Sequence, residues 1–187
     1  DLRRIYRTFK RNGAREITQI VKATAMVATE PIGSAYFAMC HTDLDADLRN
    51  ITGFVPVEKY SDSMKALPNE IGKVENIRFI GSQLIEPFLQ AGTSNSTQNM
   101  FLSNGVSTTS GSPDVYPILI VAQDAYAIVP FQGRRAITPI VLNPNRPAPS
   151  DELGQRGSIG WKMYQAAAIL NQLWMVRYEV CATAVPN

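Results

Sequence analysis

Apolar residues recur at helical spacing at the start of the chain. Their i, i+3, i+4, i+7 pattern predicts an amphipathic helix over residues 1–12, which the Asn12-Gly13 pair ends. The opposite face of this helix is almost wholly cationic. The apolar positions are Leu2, Ile5, Tyr6 and Phe9.

A second helix is predicted over residues 43–53. Thr42 and Asp45 give a capping signature, acids crowd the first turn, and Gly53 supplies the stop. The alternating aspartates of this segment also suggest a calcium loop. Such a loop needs glycine at its sixth position, where Leu48 stands, and its twelfth position has no glutamate. We therefore interpret these acids as the start of a helix.

Five segments have the β-branched runs or the period-two alternation that is typical of strands. They are residues 16–30, 70–88, 118–121, 125–129 and 174–181. We expect Pro31 to end the first segment, Gly72 and Gly81 to mark bulges or turns in the second, and Asp124 to lie near a turn. Residues 161–171 fit either a strand or a helix.

The other segments are rich in turn-forming residues. Residues 54–69 predict a loop with a short helix around 61–66. Residues 91–113 are polar and uncharged, which predicts a long flexible surface loop. Residues 143–150 are rich in proline and predict a connector.

Composition is that of an ordinary globular protein. With 187 residues, 45% hydrophobic and 18% charged, the chain is long enough for one sizeable core or two small subdomains. It has no run of about 18 apolar residues, so we predict no membrane span, and its start has no apolar signal core. Because the sequence begins at Asp1 inside a predicted helix, we expect that the natural chain extends upstream or has been processed.

The net charge of +2 is too small by itself to indicate a nucleic-acid partner, but it is unevenly placed. Six Lys or Arg residues lie within residues 1–15, namely Arg3, Arg4, Arg7, Lys10, Arg11 and Arg15. Basic residues in a last helical turn also suit the helix dipole. A solvated face and an anionic partner, such as nucleic acid or an acidic neighbour, therefore both stay open.

Three evenly spaced glycines, Gly154, Gly157 and Gly160, precede Lys162 and raise the question of a phosphate-binding loop. A P-loop needs its last glycine directly before lysine, followed by Ser or Thr, but Trp161 separates Gly160 from Lys162. The even spacing also fails the dinucleotide-binding fingerprint. We interpret the three glycines as structural turn positions.

Catalytic and metal motifs are missing from the sequence. The single histidine, His41, is expected to cap or pack rather than to catalyse. Cys40 and Cys181 cannot form a metal site without further ligands, and their separation permits a disulfide without implying one. We therefore predict no enzymatic activity, no cofactor and no bound metal, although a small β-rich enzyme stays a rival hypothesis.

Four motifs, in order along the chain, resemble one family. They are GFVPVEKY (residues 53–60), EIGKVENIRFI (70–80), DVYPILIVAQDAYAIVPFQG (114–133) and LGQRGSIGWKMYQAAAILNQLWMVRYEV (153–180). Together they look like the major capsid proteins of tailed bacteriophages, in the branch typified by the coliphage N-four coat protein. The likeness runs over residues 11–184 and is weakest at residues 91–113.

The resemblance implies an α+β chain with the Hong Kong ninety-seven type of capsid fold. In that fold a spine helix and long strands form a peripheral domain, and a mixed sheet with helices forms an axial domain. The expected assignment is residues 1–32 to the peripheral domain, as the end of the spine helix with strands. Residues 33–150 would form the axial domain, including the polar loop, and residues 151–187 would return to the peripheral domain.

The resemblance also implies a structural role. Such a protein self-assembles as pentamers and hexamers into the icosahedral head shell of a virion, in the host cytoplasm, and encloses the phage DNA. Decoration or scaffolding proteins are candidate partners, and no membrane contact is expected. The N-terminal arm and extended loop that precede the spine helix in this family are absent from the sequence given.

Under this resemblance we expect Arg3, Arg7 and Arg11 to face packaged DNA and to contact it without reading bases. Trp161 and Trp174 would supply core area. The alternative hypothesis is a nucleic-acid-binding protein outside any capsid that uses the same basic N-terminal helix.

Overall fold

The computed structural model describes residues 1–22, 28–60, 66–93, 100–101, 107–108, 112–129, 137–144, 152–163 and 166–183. The chain divides into two compact units. Unit 1 comprises Asp1–Ala125 and Asn171–Asn187, and unit 2 comprises Tyr126–Leu170. The helix expected around residues 61–66, most of the polar 91–113 segment and most of the 143–150 connector lie outside the described residues.

Unit 1 contains both helices and most strands. In chain order these are α1 (Leu2–Arg11), β1 (Ile17–Lys22), β2 (Ala28–Cys40), α2 (Asp45–Arg49), β3 (Phe54–Pro56), β4 (Glu70–Val74), β5 (Ile77–Gly81), β6 (Met100–Phe101), β7 (Ser107–Thr108) and β8 (Val115–Val121). The four strands of unit 2 follow: β9 (Tyr126–Val129), β10 (Ile137–Leu142), β11 (Ser158–Met163) and β12 (Ala166–Ile169). The last strand, β13 (Met175–Cys181), returns to unit 1, so the chain is mixed α and β with mostly strands and few helices.

A seven-stranded mixed sheet forms the centre of unit 1. Its order is β13-β8-β2-β5-β4-β3, and β1 pairs with the first half of β2. The pairing of β2 with β5 is parallel, whereas β2 and β13 are both antiparallel to β8. A parallel neighbour needs a crossover, and here α2, β3 and β4 lie between β2 and β5 in the sequence.

The core of unit 1 lies between one face of this sheet and the two helices. Alternate residues of the central strands point into it, because successive side chains of a strand face opposite sides. From the sheet these include Tyr36, Ala38, Cys40, Phe79, Tyr116, Ile118 and Ile120, all of them buried. Phe9 of α1 and Leu48 of α2 cover them.

The helix α1 confirms the first sequence prediction. Its apolar stripe packs on the core, with Phe9 fully buried and edge-on to Tyr36 at a ring-centroid distance of 5.0 Å. The Tyr36 hydroxyl donates to the carbonyl of Ala14 at 2.9 Å, and the Trp174 indole donates to the carbonyl of Asn12 at 3.1 Å. These two hydrogen bonds hold the turn after α1 against β2 and against the segment that precedes β13.

Two predicted boundaries were wrong. The strand β2 continues through Pro31, because the half of β2 that holds Pro31 pairs only with β1 in the described sheet. Proline is tolerated where one side of a strand has no ladder to complete. The second helix is also shorter than predicted and begins differently, since His41 Nδ1 accepts from the amide of Asp43 at 3.2 Å and a 3₁₀ turn over Thr42–Leu44 leads into α2.

The strand predictions for β8, β9 and β13 agree with the structure to within a few residues. Asp124 has φ +60° in the turn between β8 and β9, as expected. The bulge expected at Gly72 is present as a register shift between Glu70 and Gly72. A tight β4–β5 turn was not predicted, because Glu75 rather than glycine takes the left-handed conformation, with φ +53°.

Unit 2 consists of two antiparallel strand pairs, β9 with β12 and β10 with β11. Within residues 161–171, for which strand and helix both fitted, residues 161–163 end β11 and Ala166–Ile169 form β12. The two units divide at residues 125/126 and 170/171. The physical reason is that α1 packs on the sheet of unit 1 and that β13 pairs along its whole length with β8.

Candidate interaction surfaces

The exposed side of α1 carries the basic residues. Because its apolar stripe packs on the core, the rest of the helix faces solvent, and its five Lys and Arg side chains are exposed. They are Arg3, Arg4, Arg7, Lys10 and Arg11. Carboxylates from two later parts of the chain form ion pairs with two of these cations, which separates them from the other three.

Arg3 and Lys10 are held in ion pairs. Arg3 Nε lies 2.8 Å from Glu75 Oε1, at the β4–β5 turn. Lys10 Nζ lies 2.7 Å from Glu16 Oε1, and this hydrogen bond raises the pKa of Lys10. Of the three arginines that the sequence suggested for contact with DNA, Arg3 therefore already has a carboxylate partner.

Arg4, Arg7 and Arg11 form what we call the cationic face. Their i, i+3, i+7 spacing places them within about 60° of one another around the helix and along about 10 Å of its axis. Among the described residues no carboxylate forms an ion pair with any of the three. The sequence could not distinguish Arg4 from Arg3, because the carboxylate that decides between them lies 72 residues away from Arg3.

A second surface lies on the β10–β11 pair of unit 2. The register places Pro139 opposite Trp161 and Val141 opposite Ile159, and Met163 follows on the same side. We call Pro139, Val141, Ile159, Trp161 and Met163 the apolar face. Trp161 is 76% exposed and Ile159 is 78% exposed, so an entire side of this pair is apolar and open.

The other side of the pair is mixed in character. Ser158, Gly160 and Lys162 alternate with the apolar positions of β11, opposite Leu142, Ile140 and Thr138. The pair is thus amphipathic across its two faces. The β9–β12 pair is apolar throughout, and all of β12 is exposed.

The expected core position of Trp161 is therefore corrected. Its indole extends from a two-stranded pair onto which no other described strand pairs, whereas Trp174 is half-buried and packs on the core of unit 1. The alternation of apolar residues located the strand but could not indicate whether its apolar side was covered.

The three glycines have different roles. Gly154 takes a left-handed conformation with φ +63°, as a turn position would. Gly157 lies close to Pro144 and Leu142, so that a Cβ atom there would be 3.1 Å from the Leu142 carbonyl oxygen. Gly160 lies inside β11 opposite Ile140, so the expectation of a turn at that residue is wrong.

A cavity of about 440 Å³ lies between the helices and the sheet of unit 1. Its lining is largely apolar, and its charged residues are Asp1, Arg3 and Asp47. All three are engaged: Asp1 accepts from the Tyr178 hydroxyl, Arg3 pairs with Glu75, and Asp47 accepts from the amide of Thr183.

His41 belongs to a small polar cluster with Asp43 and Tyr116. The Tyr116 hydroxyl donates to Asp43 Oδ2 at 2.9 Å, and His41 Nδ1 lies 3.2 Å from the same oxygen. Burial and the hydrogen bond to Asp43 raise the pKa of Tyr116, so this phenol stays protonated and acts as a donor. With the Nδ1 atom of His41 capping the 3₁₀ turn, the cluster is structural, and the expectation of a capping histidine is confirmed.

Cys40 and Cys181 are free thiols, the first buried and the second partly exposed. Within the described residues no group of three or more His, Cys, Asp or Glu side chains is arranged to hold a metal ion. In the same part of the chain, no helix has the length and apolarity that crossing a bilayer requires.

A scan against protein-family models and a search of curated proteins gave no match to this chain. The role of the two surfaces is therefore inferred from the chemistry of their residues alone. One is cationic and polar, and the other is apolar and extended.

Proposed function

We propose that this chain is a coat subunit that assembles in many copies into the icosahedral head shell of a tailed bacteriophage. The four ordered motifs quoted above support the family, and the mixed α and β character of the chain is compatible with its fold. The observation that carries the proposal is the apolar face of unit 2.

An isolated two-stranded sheet is marginally stable in water, and a large exposed apolar patch marks an interaction site. Unit 2 combines both features, since its strands pair only two by two among the described residues and expose Trp161 and Ile159. Covering this surface would stabilise the unit, at roughly 25 cal/mol for each Å² of apolar area removed from water. A protein that functions in contact with other subunits fits these properties.

The two units also suggest how the domains of the coat fold are distributed. Unit 1, a mixed sheet covered by helices, fits the compact axial domain. Unit 2, built of extended strands, fits the strands of the peripheral domain. Under this proposal α1 and β13 belong with the axial domain, in contrast to the assignment that the resemblance first implied.

A coat subunit acts through its contact surfaces rather than through a catalytic pocket. Head-to-tail contacts whose rotation closes would give the fivefold and sixfold rings of a shell. Each subunit would contact several neighbours, so individually weak interfaces would add up to a stable particle.

Sedimentation velocity with negative-stain imaging tests the proposal. We expect the protein, expressed with its natural upstream residues, to form rings or shells, and Trp161→Glu to shift it towards monomers. Ser158→Asp is the matched control, because it adds one negative charge to the opposite side of the same strand. A wild-type protein with its natural upstream residues that stays strictly monomeric under all assembly conditions would overturn the coat proposal.

A further inference from the structure

The cationic face of α1 is a surface for which the fold itself provides no counter-charge. Five basic residues lie on α1, and the structure pairs Arg3 with Glu75 and Lys10 with Glu16. Arg4, Arg7 and Arg11 receive no such partner among the described residues. Like charges at helical neighbour positions destabilise a helix slightly, so an anion bound across them would relieve this repulsion.

The geometry of the face suits a row of anions rather than a single one. Arg4 and Arg11 are separated by two helical turns, about 10 Å along the axis, and Arg7 lies between them. Each strand of a DNA duplex presents one phosphate per about 3.4 Å of axis. Three guanidinium groups spread over this distance can therefore each reach a different phosphate.

The chemistry of the face favours phosphate over an acidic protein. All three cations are arginines, whose planar forks bind carboxylate and phosphate oxygens alike in bidentate fashion, so the surroundings of the arginines decide between these ligands. The apolar residues of α1 are directed into the core, so the exposed side has no aromatic or aliphatic anchor of the kind that protein interfaces depend on. It also lacks the stacking aromatics that single-stranded nucleic acids need.

We propose that Arg4, Arg7 and Arg11 form a binding site for the phosphate backbone of duplex DNA, independent of base sequence. Arg3 is excluded from the site by its ion pair with Glu75. The site does not depend on the coat proposal, since it needs only α1 and its packing on unit 1. In a coat subunit it would offset the charge of enclosed DNA.

Fluorescence anisotropy of a labelled mixed-sequence duplex, titrated at several salt concentrations, tests the site. The variant is Arg4→Gln/Arg7→Gln/Arg11→Gln. The matched control is Arg3→Gln/Arg49→Gln/Arg177→Gln. It also removes three positive charges, but from arginines that are paired with Glu75, Asp45 and Glu179. Thermal unfolding followed by circular dichroism verifies that both triple variants are folded.

We expect wild-type binding to weaken as the salt concentration rises. In the first variant, the slope of log K against log salt should become shallower by about 3. The control should keep nearly the wild-type slope, and an unrelated duplex sequence should bind equally well.

Equal losses in the two triple variants would overturn the assignment, because they would report net charge alone. Tighter binding of polyglutamate than of duplex at the same salt would instead identify an acidic protein as the ligand. DNA binding by a monomeric chain would leave the site standing while the coat proposal fails.

Discussion

The Arg78 guanidinium forms two hydrogen bonds with the Glu70 carboxylate, and both side chains are fully buried. Nε lies 2.7 Å from Oε1, and Nη2 lies 2.6 Å from Oε2. The same carboxylate accepts from the Tyr60 hydroxyl at 2.7 Å and from the Leu67 amide at 2.8 Å. The pair therefore joins β4 to β5 within the 70–80 motif, and the carboxylate also connects them to Tyr60 and Leu67 in the segment before β4.

Removing one partner of the Glu70–Arg78 pair should lower the free energy of unfolding. Glu70→Gln leaves the buried Arg78 without its counter-charge, and we expect the free energy of unfolding to fall by about 3–5 kcal/mol. Urea denaturation measures the loss. The double change Glu70→Leu/Arg78→Met should cost clearly less than the sum of the two single changes, because it leaves no buried charge. Arg177→Met, at an exposed pair with Glu179, is the control and should have little effect.

Gly72 is required by close packing rather than by backbone conformation. A Cβ atom there would lie 2.6 Å from the Val55 carbonyl oxygen and would also meet the Phe54 ring. Gly72→Ala should therefore destabilise unit 1 by about 1–3 kcal/mol through overpacking against β3. Gly81→Ala in β5 is the matched control, since its nearest neighbour, Ile71, would be in ordinary contact at 3.4 Å. Thermal melts that fall equally for both variants would contradict this account.

The ion pair of Glu16 with Lys10 predicts a pH dependence on the acid side. Burial alone would raise the pKa of Glu16, but hydrogen bonds from Lys10, Asn76 and Ser34 outweigh it and the net pKa is lowered. The stabilisation is therefore present above the ordinary value of 4.5 and is lost as the pH falls through the folded-state pKa. Because Lys10 is half-exposed, we expect about 1 kcal/mol or less.

The variant Glu16→Gln isolates this contribution, since it keeps the size of the side chain and removes the charge. Its free energy of unfolding should lie below that of the wild type at pH 7, and the two should converge as the pH falls through the lowered folded-state pKa of Glu16. Denaturant titrations at several pH values measure the difference. A gap that stays constant with pH would contradict an ionic origin.

Much of the fold could be predicted from local pattern. The period of 3.6 in α1 and the period of two in β13 reflect burial on one side, which a sequence displays directly. What could not be predicted depends on distant partners. Pro31 is tolerated inside β2 because, among the described residues, only β1 pairs with that half of the strand.

The same distinction applies to the candidate surfaces. The basic character of α1 is visible in sequence, but Arg3 leaves the cationic face only because the β4–β5 turn brings Glu75 to it. The apolar alternation of β11 is also visible. Whether Trp161 is buried depends on whether another layer packs on its side of the strand pair, which no local pattern reports.

Cys40 should be chemically inert in the folded chain. Burial, with a smaller contribution from the Asp45 carboxylate, raises the pKa of Cys40 to about 12. Cys181 also has a raised pKa through burial, but it is partly exposed. In the variant Cys181→Ser we expect no reaction with a thiol reagent at pH 8 until denaturant is added, whereas Cys40→Ser should react slowly while folded. Rapid labelling of Cys40 in the native state would contradict its placement.

Trp161 should report directly on whether the apolar face is a contact between subunits. The chain has two tryptophans, so Trp174→Phe leaves Trp161 as the only one. Its exposed indole should emit at long wavelength and be quenched by acrylamide in dissociated subunits. If particle formation covers the apolar face, the emission should shift to shorter wavelength and the quenching should fall.

Trp161→Phe is the control, because Trp174 is already half-buried and hydrogen-bonded to Asn12 within unit 1. Particles in which Trp161 stays as accessible as in the free subunit would place the assembly contact elsewhere on the chain.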